Sequence, residues 1–220
     1  MDTLSYLLHL FFHLDVALRD GSNLLGPWLY VVLFAIVFCE TGLVVTPFLP
    51  GDSLLFTCGA IASMPGSALA PGPTIALLIV AAILGDAANY AIGRRLGEKL
   101  IERKPKWLNP QHLERTQRFY EKHGGKTIVF ARFAPILRTF APFVAGMGKM
   151  EYRRFAAYNV GGAVAWVTSF VLAGYYFGNL PIIKRNFQLV VLAIIVVSVM
   201  PAVIELVRAR REARAGASAG

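Results

Sequence analysis

Six ionisable side chains interrupt stretches of the chain that are otherwise apolar, and these positions carry most of its potential chemistry. They are three carboxylic acids and three arginines: Glu40, Asp52, Asp86, Arg94, Arg132 and Arg138. An ionised Asp or Arg near the centre of a membrane helix costs roughly 2.5–3.5 kcal/mol. These side chains must therefore pair with one another, face water or lose their charge for part of the time. Ionisable groups inside membranes generally mark substrate or proton pathways.

The first two acids flank a break in the helical pattern. The segment Thr46–Gly51 contains two prolines and a glycine, which cannot continue a helix. Glu40 and Asp52 lie equally far on either side of Thr46, so hairpin arms of equal pitch place them at similar depth. Broken helices are tolerated inside a membrane where protein or a water-filled cavity surrounds them. We therefore predict a re-entrant helical hairpin at about residues 28–65, and whether its first arm crosses fully stays open.

Two of the arginines flank a second break. Arg132 and Arg138 lie on either side of Pro135 within residues 127–150, and Pro142 follows in the same segment. We predict a second re-entrant hairpin here, interrupted by both prolines. If the two hairpins meet head to head, two carboxylates face two guanidinium groups at the membrane midplane.

The composition agrees with this membrane assignment. Of the 220 residues, 56% are hydrophobic and 16% are charged, with a net charge of +9, and the mean hydropathy is +0.56. A soluble protein of this size could not cover so much apolar surface with so few charges. Three further stretches approach the roughly 20 apolar residues of a spanning helix, at about 74–93, 155–178 and 186–205. We predict an all-α polytopic membrane protein with two re-entrant hairpins, three to four transmembrane helices and an amphipathic helix.

Basic residues indicate the orientation and the remaining divisions of the chain. The connector 94–126 contains ten Lys and Arg against four Glu, and the tail 206–220 contains four Arg. The positive-inside rule places both in the cytoplasm. Aromatic and basic residues alternate within 107–123, which favours an amphipathic helix on the membrane face. The remaining parts are an N-terminal interfacial segment, 1–27, and a single membrane domain, 28–205.

The two breaks also resemble each other in sequence. Pro47–Gly51 is similar to Pro142–Gly146, and the spans that follow end on Gly93–Gly97 and Gly174–Gly178. One crossing per repeat turns the second copy upside down relative to the first. The pattern therefore predicts the inverted-repeat plan of many transporters, whose substrate site lies at broken helices.

Taken together, these motifs resemble the DedA family of bacterial inner-membrane proteins. This family belongs to the broader group of VTT (SNARE-associated) domain proteins, whose eukaryotic members are lipid scramblases. The likeness covers about residues 28–178, and over 119–147 it is greatest to the member that gives the family its name. The motifs that carry it are Glu40, Phe48–Asp52, Gly85–Arg94, Phe130–Arg138 and Gly146-Met147.

The resemblance implies two facing hairpins, dependence on the proton-motive force and, for several members, recycling of undecaprenyl phosphate across the membrane. It also implies that Glu40 and Asp52 are essential acids and that Arg132 and Arg138 are essential arginines. We predict that the two arginines bind the lipid phosphate and that the two acids couple transport to protons. Three further residues are predicted to support the site: Asp86, Tyr90 and Arg94.

Transport of a lipid phosphate is the leading functional prediction, because guanidinium groups bind phosphate oxygens in a fork. The chain would then be a flippase for undecaprenyl phosphate or another phospholipid, used in envelope biogenesis. The alternative is a proton-coupled antiporter of small cations or drugs, which would use the same acids without needing both arginines. A non-transporting assembly factor, in which the charges only hold the fold, also stays open.

An enzyme is not expected. A lipid phosphatase needs a nucleophile or an acid–base histidine, and the sequence has no histidine within either predicted hairpin. No metal or organic cofactor is expected either. The expected partners are membrane lipids and protons rather than nucleic acid. Small-residue faces such as Gly161-Gly162 permit a homo-oligomer, although packing within one chain explains them equally well.

Overall fold

The computed structural model describes residues 27–43, 51–103, 125–133 and 135–178, together with scattered positions between 180 and 193. These ranges contain helices and no β-strand, which confirms the predicted all-α class. The helices are α1 (Trp28–Gly42), α2 (Gly51–Ala62), α3 (Pro71–Arg103), α4 (Lys126–Ala131), α5 (Pro135–Met147) and α6 (Tyr152–Phe177).

Two of the helices are long and apolar enough to cross a membrane. They are Pro71–Gly97, within α3, and Tyr152–Phe177, which is α6. The helix α3 continues past the predicted end at residue 93 into the expected connector, because the sequence there keeps strong helix formers such as Arg, Leu, Glu and Lys. The predicted span 186–205, the amphipathic segment 107–123 and both termini lie largely or wholly outside the described residues.

The chain breaks between short helices near both predicted positions. Helix α1 ends at Gly42, where the N–H of Leu43 donates to the carbonyl of Cys39 at 2.9 Å, and α2 begins at Gly51. The prolines of the intervening segment lie outside the described residues. At 1.5 Å per residue, the 15 residues of α1 and the 12 residues of α2 each fall short of a hydrocarbon core about 30 Å thick.

In the second break, the predicted interruption at Pro135 is confirmed, whereas the interruption predicted at Pro142 is wrong. Helix α4 ends at Ala131, and Pro135 begins α5, where its fixed φ and missing N–H suit a first helical position. Pro142, however, lies inside α5 and does not interrupt it. A proline inside a membrane helix removes one backbone hydrogen bond, and neighbouring groups can compensate for that loss.

The helices pack in two equivalent sets. The first arms pack beside the long helix that follows them in sequence: α1 against α3, and α4 against α6. The second arms cross over to the other long helix: α2 packs against α6, and α5 packs against α3. This exchange is the contact pattern of two repeats related by a pseudo-two-fold axis.

Pairs of glycines lie at corresponding positions in the two contacts between a second arm and a long helix. Where α2 meets α6, a Cβ on Gly59 would meet the carbonyl oxygen of Val171, and a Cβ on Gly174 would meet that of Phe56. In both directions the carbonyl belongs to the residue three positions before the partner glycine. Only glycine permits helices to approach so closely.

The contact between α5 and α3 repeats this arrangement. A Cβ on Gly93 would meet the carbonyl oxygen of Phe143, and a Cβ on Gly146 would meet that of Tyr90. Gly93 therefore corresponds to Gly174, as the sequence comparison predicts. Gly146 corresponds to Gly59 rather than to Gly51, so the predicted register of the two breaks is wrong.

The distribution of polarity differs from that of a soluble protein. Large apolar side chains lie on the outside, among them Trp28, Val80, Leu84, Phe130 and Val164. Charged side chains lie inside: Glu40, Asp52, Asp86, Arg132 and Arg138 are each at most 5% exposed. An apolar exterior around a charged interior is the arrangement that a bilayer favours.

Candidate functional site

Two clusters of buried charge lie inside the helices. The first, here called the Arg138 cluster, joins Arg138 of α5 to Glu40 of α1 and Asp52 of α2. Nη1 of Arg138 donates to Oδ1 of Asp52 at 3.0 Å, and Nη2 donates to Oε1 of Glu40. One guanidinium group therefore neutralises only one of the two carboxylates that it contacts.

Neighbouring groups hold both acids of the Arg138 cluster in place. The backbone N–H of Gly51 donates to Oε1 of Glu40 at 3.0 Å. The indole Nε1–H of Trp166, on α6, donates to Oδ1 of Asp52 at 2.8 Å. The Trp166 ring centroid lies 4.7 Å from Cζ of Arg138, within the range of a cation–π interaction. Hydrogen bonds to ionised groups are stronger than those between neutral groups, so these contacts fix the cluster.

The second cluster, here called the Arg132 cluster, joins Arg132 to Asp86 of α3 and Asn159 of α6. Nη2 of Arg132 lies 2.5 Å from Oδ2 of Asp86 and 2.5 Å from Oδ1 of Asn159. The amide Nδ2 of Asn159 donates to the carbonyl of Ile83 at 3.1 Å. That bond directs Oδ1 of Asn159 towards the arginine. This cluster contains one guanidinium group and one carboxylate.

Trp166 lies beside both clusters. Its ring centroid lies 6.0 Å from Cζ of Arg132, in addition to its closer contact with Arg138. The side chain of Trp166 is fully buried. A change in either arginine therefore alters the surroundings of the same indole.

The structure corrects the expected pairing of the four principal residues. Arg138 contacts both Glu40 and Asp52, so one of the two guanidinium groups meets both of the expected carboxylates. Arg132 pairs instead with Asp86. The reason is that Arg132 follows α4, which packs on α6, whereas Arg138 lies on α5 across the break. Asp86 is thus the ionic partner of Arg132.

The other two predicted supporting residues lie elsewhere. The hydroxyl of Tyr90 donates to the carbonyl of Met150, and its ring stacks on Phe155 with the centroids 4.5 Å apart. Tyr90 therefore belongs to the hydrophobic core between α3, α5 and α6. Arg94 follows it by one helical turn, where the backbone of α3 passes Gly146. Both residues contribute to the contact between α3 and α5.

The sequence analysis missed two residues of the site, Asn159 and Trp166. A signal for them exists, because Asn159, Gly162 and Trp166 follow one another at intervals of three and four residues and therefore share one face of α6. An amide, a glycine and an indole on one face of an otherwise apolar span favour contact with a polar neighbour. The four histidines lie outside the described residues, so the expectation that the protein holds no metal stays a prediction.

Several polar atoms of the two clusters are buried without a hydrogen-bond partner among the described residues. They are Oε2 of Glu40, Oδ1 of Asp86, Nε and Nη1 of Arg132, and Nε of Arg138. A buried polar group without a partner costs about 1–3 kcal/mol, and a charged group costs more. Both donors and acceptors at this site therefore retain the capacity to bind a further polar group.

In the part of the chain that the structure describes, long apolar helices, an apolar exterior and buried charge are those of a helical membrane protein. The model of the VTT domain family matches residues 49–176. The chain is 54% identical to Protein DedA of Escherichia coli strain K12 over 214 residues, which covers 97% of this chain and 98% of that protein. The chain belongs to the DedA family of VTT-domain membrane proteins, as its motifs predict.

More distant relatives extend the comparison. The chain is 40% identical to Uncharacterized membrane protein Rv0364 of Mycobacterium tuberculosis strain H37Rv, covering 88% of this chain and 86% of that protein. It is 34% identical to Inner membrane protein YqjA of Escherichia coli strain K12, covering 84% and 83%. No solved structure matches the chain significantly.

Proposed function

We propose that this protein is a proton-motive-force-dependent lipid translocase of the bacterial inner membrane, which moves undecaprenyl phosphate or another phospholipid. The observation that carries the proposal is the pair of buried arginines, 1% and 2% exposed, that meet three carboxylates from separate helices. Such charges are costly inside a membrane and are generally retained for transport. The apolar exterior gives a lipid tail a path along the protein while its headgroup enters the polar interior.

The charge balance supports a coupling between anion and proton. With every group ionised, three carboxylates face two guanidinium groups, so the clusters carry one excess negative charge. A bound phosphate monoester adds at least one further negative charge in surroundings of low dielectric constant, where uncompensated charge is expensive. Protonation of a carboxylate offsets that charge. Uptake of the lipid phosphate therefore favours uptake of a proton, and the linkage is reciprocal.

The pseudo-two-fold packing supports an alternating-access mechanism. In the proposed arrangement α1 with α2, and α4 with α5, form the two re-entrant hairpins, which open the site to opposite sides of the membrane. Each hairpin packs against both long helices, so either can move while the other stays closed. The basic connector and the C-terminal tail then lie in the cytoplasm, as the positive-inside rule predicts.

One observation favours a second candidate, a proton-coupled antiporter of small cations or drugs. The site contains more carboxylates than guanidinium groups, and an excess of negative charge attracts cations. An antiporter would exchange the cation for protons and leave the distribution of lipid between leaflets unchanged.

Transport by the purified protein in liposomes separates these functions. The experiment measures the accessibility of undecaprenyl phosphate in each leaflet, with and without an imposed proton gradient. The proposal expects gradient-dependent movement of this lipid, and none of its dephosphorylated alcohol. Gradient-dependent movement of a small cation with no movement of lipid would instead establish the antiporter. Release of inorganic phosphate would establish a lipid phosphatase.

A further inference from the structure

We propose that the two clusters divide the work of transport: Arg132, with Asp86 and Asn159, binds the phosphate monoester, while Arg138 remains with Glu40 and Asp52 as the proton-binding half. This inference deepens the function proposed above and rests on it. It replaces a symmetric pair of phosphate-binding arginines with two unlike centres.

The hydrogen bonds of the two arginines differ. Arg138 uses two of its three nitrogens on two different carboxylates, and its guanidinium group lies closest to the Trp166 ring. Arg132 uses Nη2 alone for all of its hydrogen bonds among the described residues, and both Nε and Nη1 have no partner there. Two buried nitrogens of Arg132 can therefore donate to an anion before its bond to Asp86 is broken.

The charges of the two clusters differ in the same direction. The Arg138 cluster has two carboxylates for one guanidinium group, so an approaching phosphate meets a net negative charge. The Arg132 cluster has one of each and is neutral when both are ionised. Repulsion between like charges is strongest where water is excluded. A phosphate therefore binds at Arg132 with less electrostatic opposition than at Arg138.

The three acids are also held to different degrees. Glu40 is bound by Arg138 and by the backbone N–H of Gly51, and Asp52 is bound by Arg138 and by Trp166. Asp86 is bound through Oδ2 to Arg132, and its Oδ1 has no partner among the described residues. Asp86 is thus the acid that phosphate displaces from an arginine most readily. The negative charge that the phosphate adds is then offset when Glu40 or Asp52 takes up a proton, since uncompensated buried charge is unfavourable.

Asn159 is then a positioning residue for the phosphate half. Its Oδ1 accepts from Nη2 of Arg132, and its amide is fixed by the carbonyl of Ile83. Being neutral, this side chain keeps its hold on the guanidinium group after Asp86 has left, and it adds no charge that would repel the phosphate. The arginine therefore stays in place while its ionic partner changes.

Binding measurements on matched variants test the division. The full-length protein in detergent micelles is titrated calorimetrically with farnesyl phosphate, a short polyprenyl monophosphate, and with farnesol and inorganic phosphate as separate ligands. We expect Arg132→Lys to weaken farnesyl phosphate binding at least about tenfold, equivalent to about 1.4 kcal/mol, because lysine lacks the planar set of donors. We expect Arg138→Lys to weaken this binding less than about threefold, because Arg138 remains with Glu40 and Asp52. We expect Asp86→Asn to strengthen binding several-fold, since it removes the competing carboxylate.

The outcomes separate the inference from the proposed function. Equal losses for the two arginine variants would overturn the division while leaving a phosphate-binding translocase intact. Binding of farnesol as tight as that of farnesyl phosphate would overturn both. Binding of inorganic phosphate as tight as that of farnesyl phosphate would leave the division standing and overturn lipid as the substrate. The gain for Asp86→Asn guards against misfolding, because a damaged protein does not bind more tightly, and the absence of that gain would overturn the role assigned to Asp86.

Discussion

Replacing Gly162 by alanine tests whether the position of Arg132 matters for transport. A Cβ at residue 162 would lie 3.0 Å from Cδ and 3.2 Å from Nε of Arg132, and 3.4 Å from Cα of Val129. The methyl group would therefore push the arginine by a few tenths of an ångström away from α6. Asn159 lies on the same helix one turn earlier, and its bond to Nη2 is only 2.5 Å long.

The adjacent glycine provides a matched control. A Cβ at Gly161 would meet nothing within 4 Å, so Gly161→Ala adds a methyl group to open space. Both substitutions gain helix propensity, worth up to about 1 kcal/mol in a helix interior. The two variants therefore share their effect on the backbone of α6 and differ in their effect on Arg132.

The expected loss follows from the hydrogen bonds of Arg132. A hydrogen bond to a charged group contributes about 1.5–3 kcal/mol, and the displacement weakens two of them without breaking them. If about half of one such bond, about 0.75–1.5 kcal/mol, is lost in the transport cycle, the rate falls by roughly four- to twelvefold, since 1.36 kcal/mol corresponds to a factor of ten. We expect Gly162→Ala to slow gradient-driven lipid movement by about this factor and Gly161→Ala to leave it unchanged.

The assay is the initial rate of leaflet exchange of undecaprenyl phosphate in proteoliposomes, at equal protein content for both variants. Thermal unfolding in detergent provides the accompanying measure of stability. If Gly162→Ala transports as fast as Gly161→Ala, the position of Arg132 does not limit transport, and the reasoning fails. A large drop in the unfolding temperature of Gly162→Ala alone would show that the added methyl group destabilises the fold as a whole, rather than only displacing Arg132.

Three further predictions address the charged groups and the indole. Arg132→Lys and Arg138→Lys should each lose most transport while still inserting and accumulating, because lysine keeps the charge but not the planar donors; normal transport by both would favour simple charge pairing. Glu40→Gln and Asp52→Asn should retain lipid phosphate binding but lose dependence on the proton gradient, and full gradient dependence of either variant would exclude that residue from coupling. Trp166→Phe keeps an aromatic face near Arg138 but removes the donor to Asp52. The free energy of unfolding, measured by chemical denaturation in detergent, should therefore fall by about 1.5–3 kcal/mol. An unchanged value would show that the indole hydrogen bond does not stabilise the cluster.

The sequence alone determined the class of the protein and the residues of its charged interior. Composition and apolar runs are local properties, and they require a membrane whatever the arrangement of the helices. Prolines and glycines act on the backbone where they stand, so the two breaks could be located within a few residues. The cost of charge in lipid singles out Glu40, Asp52, Asp86, Arg132 and Arg138 from types and surroundings alone. It also singles out Arg94, which is exposed and lies outside both clusters.

Only the tertiary structure decided which charge meets which. Arg138 and Glu40 are 98 residues apart, and Arg132 and Asp86 are 46 apart. Those distances are set by how the second arms cross to the opposite long helix, a property that no single segment encodes. Asn159 and Trp166 entered the site for the same reason, because α6 turns their shared face towards the arginines. Spacing along the chain predicts depth in the membrane, whereas the partner of each buried charge depends on the packing of separate helices.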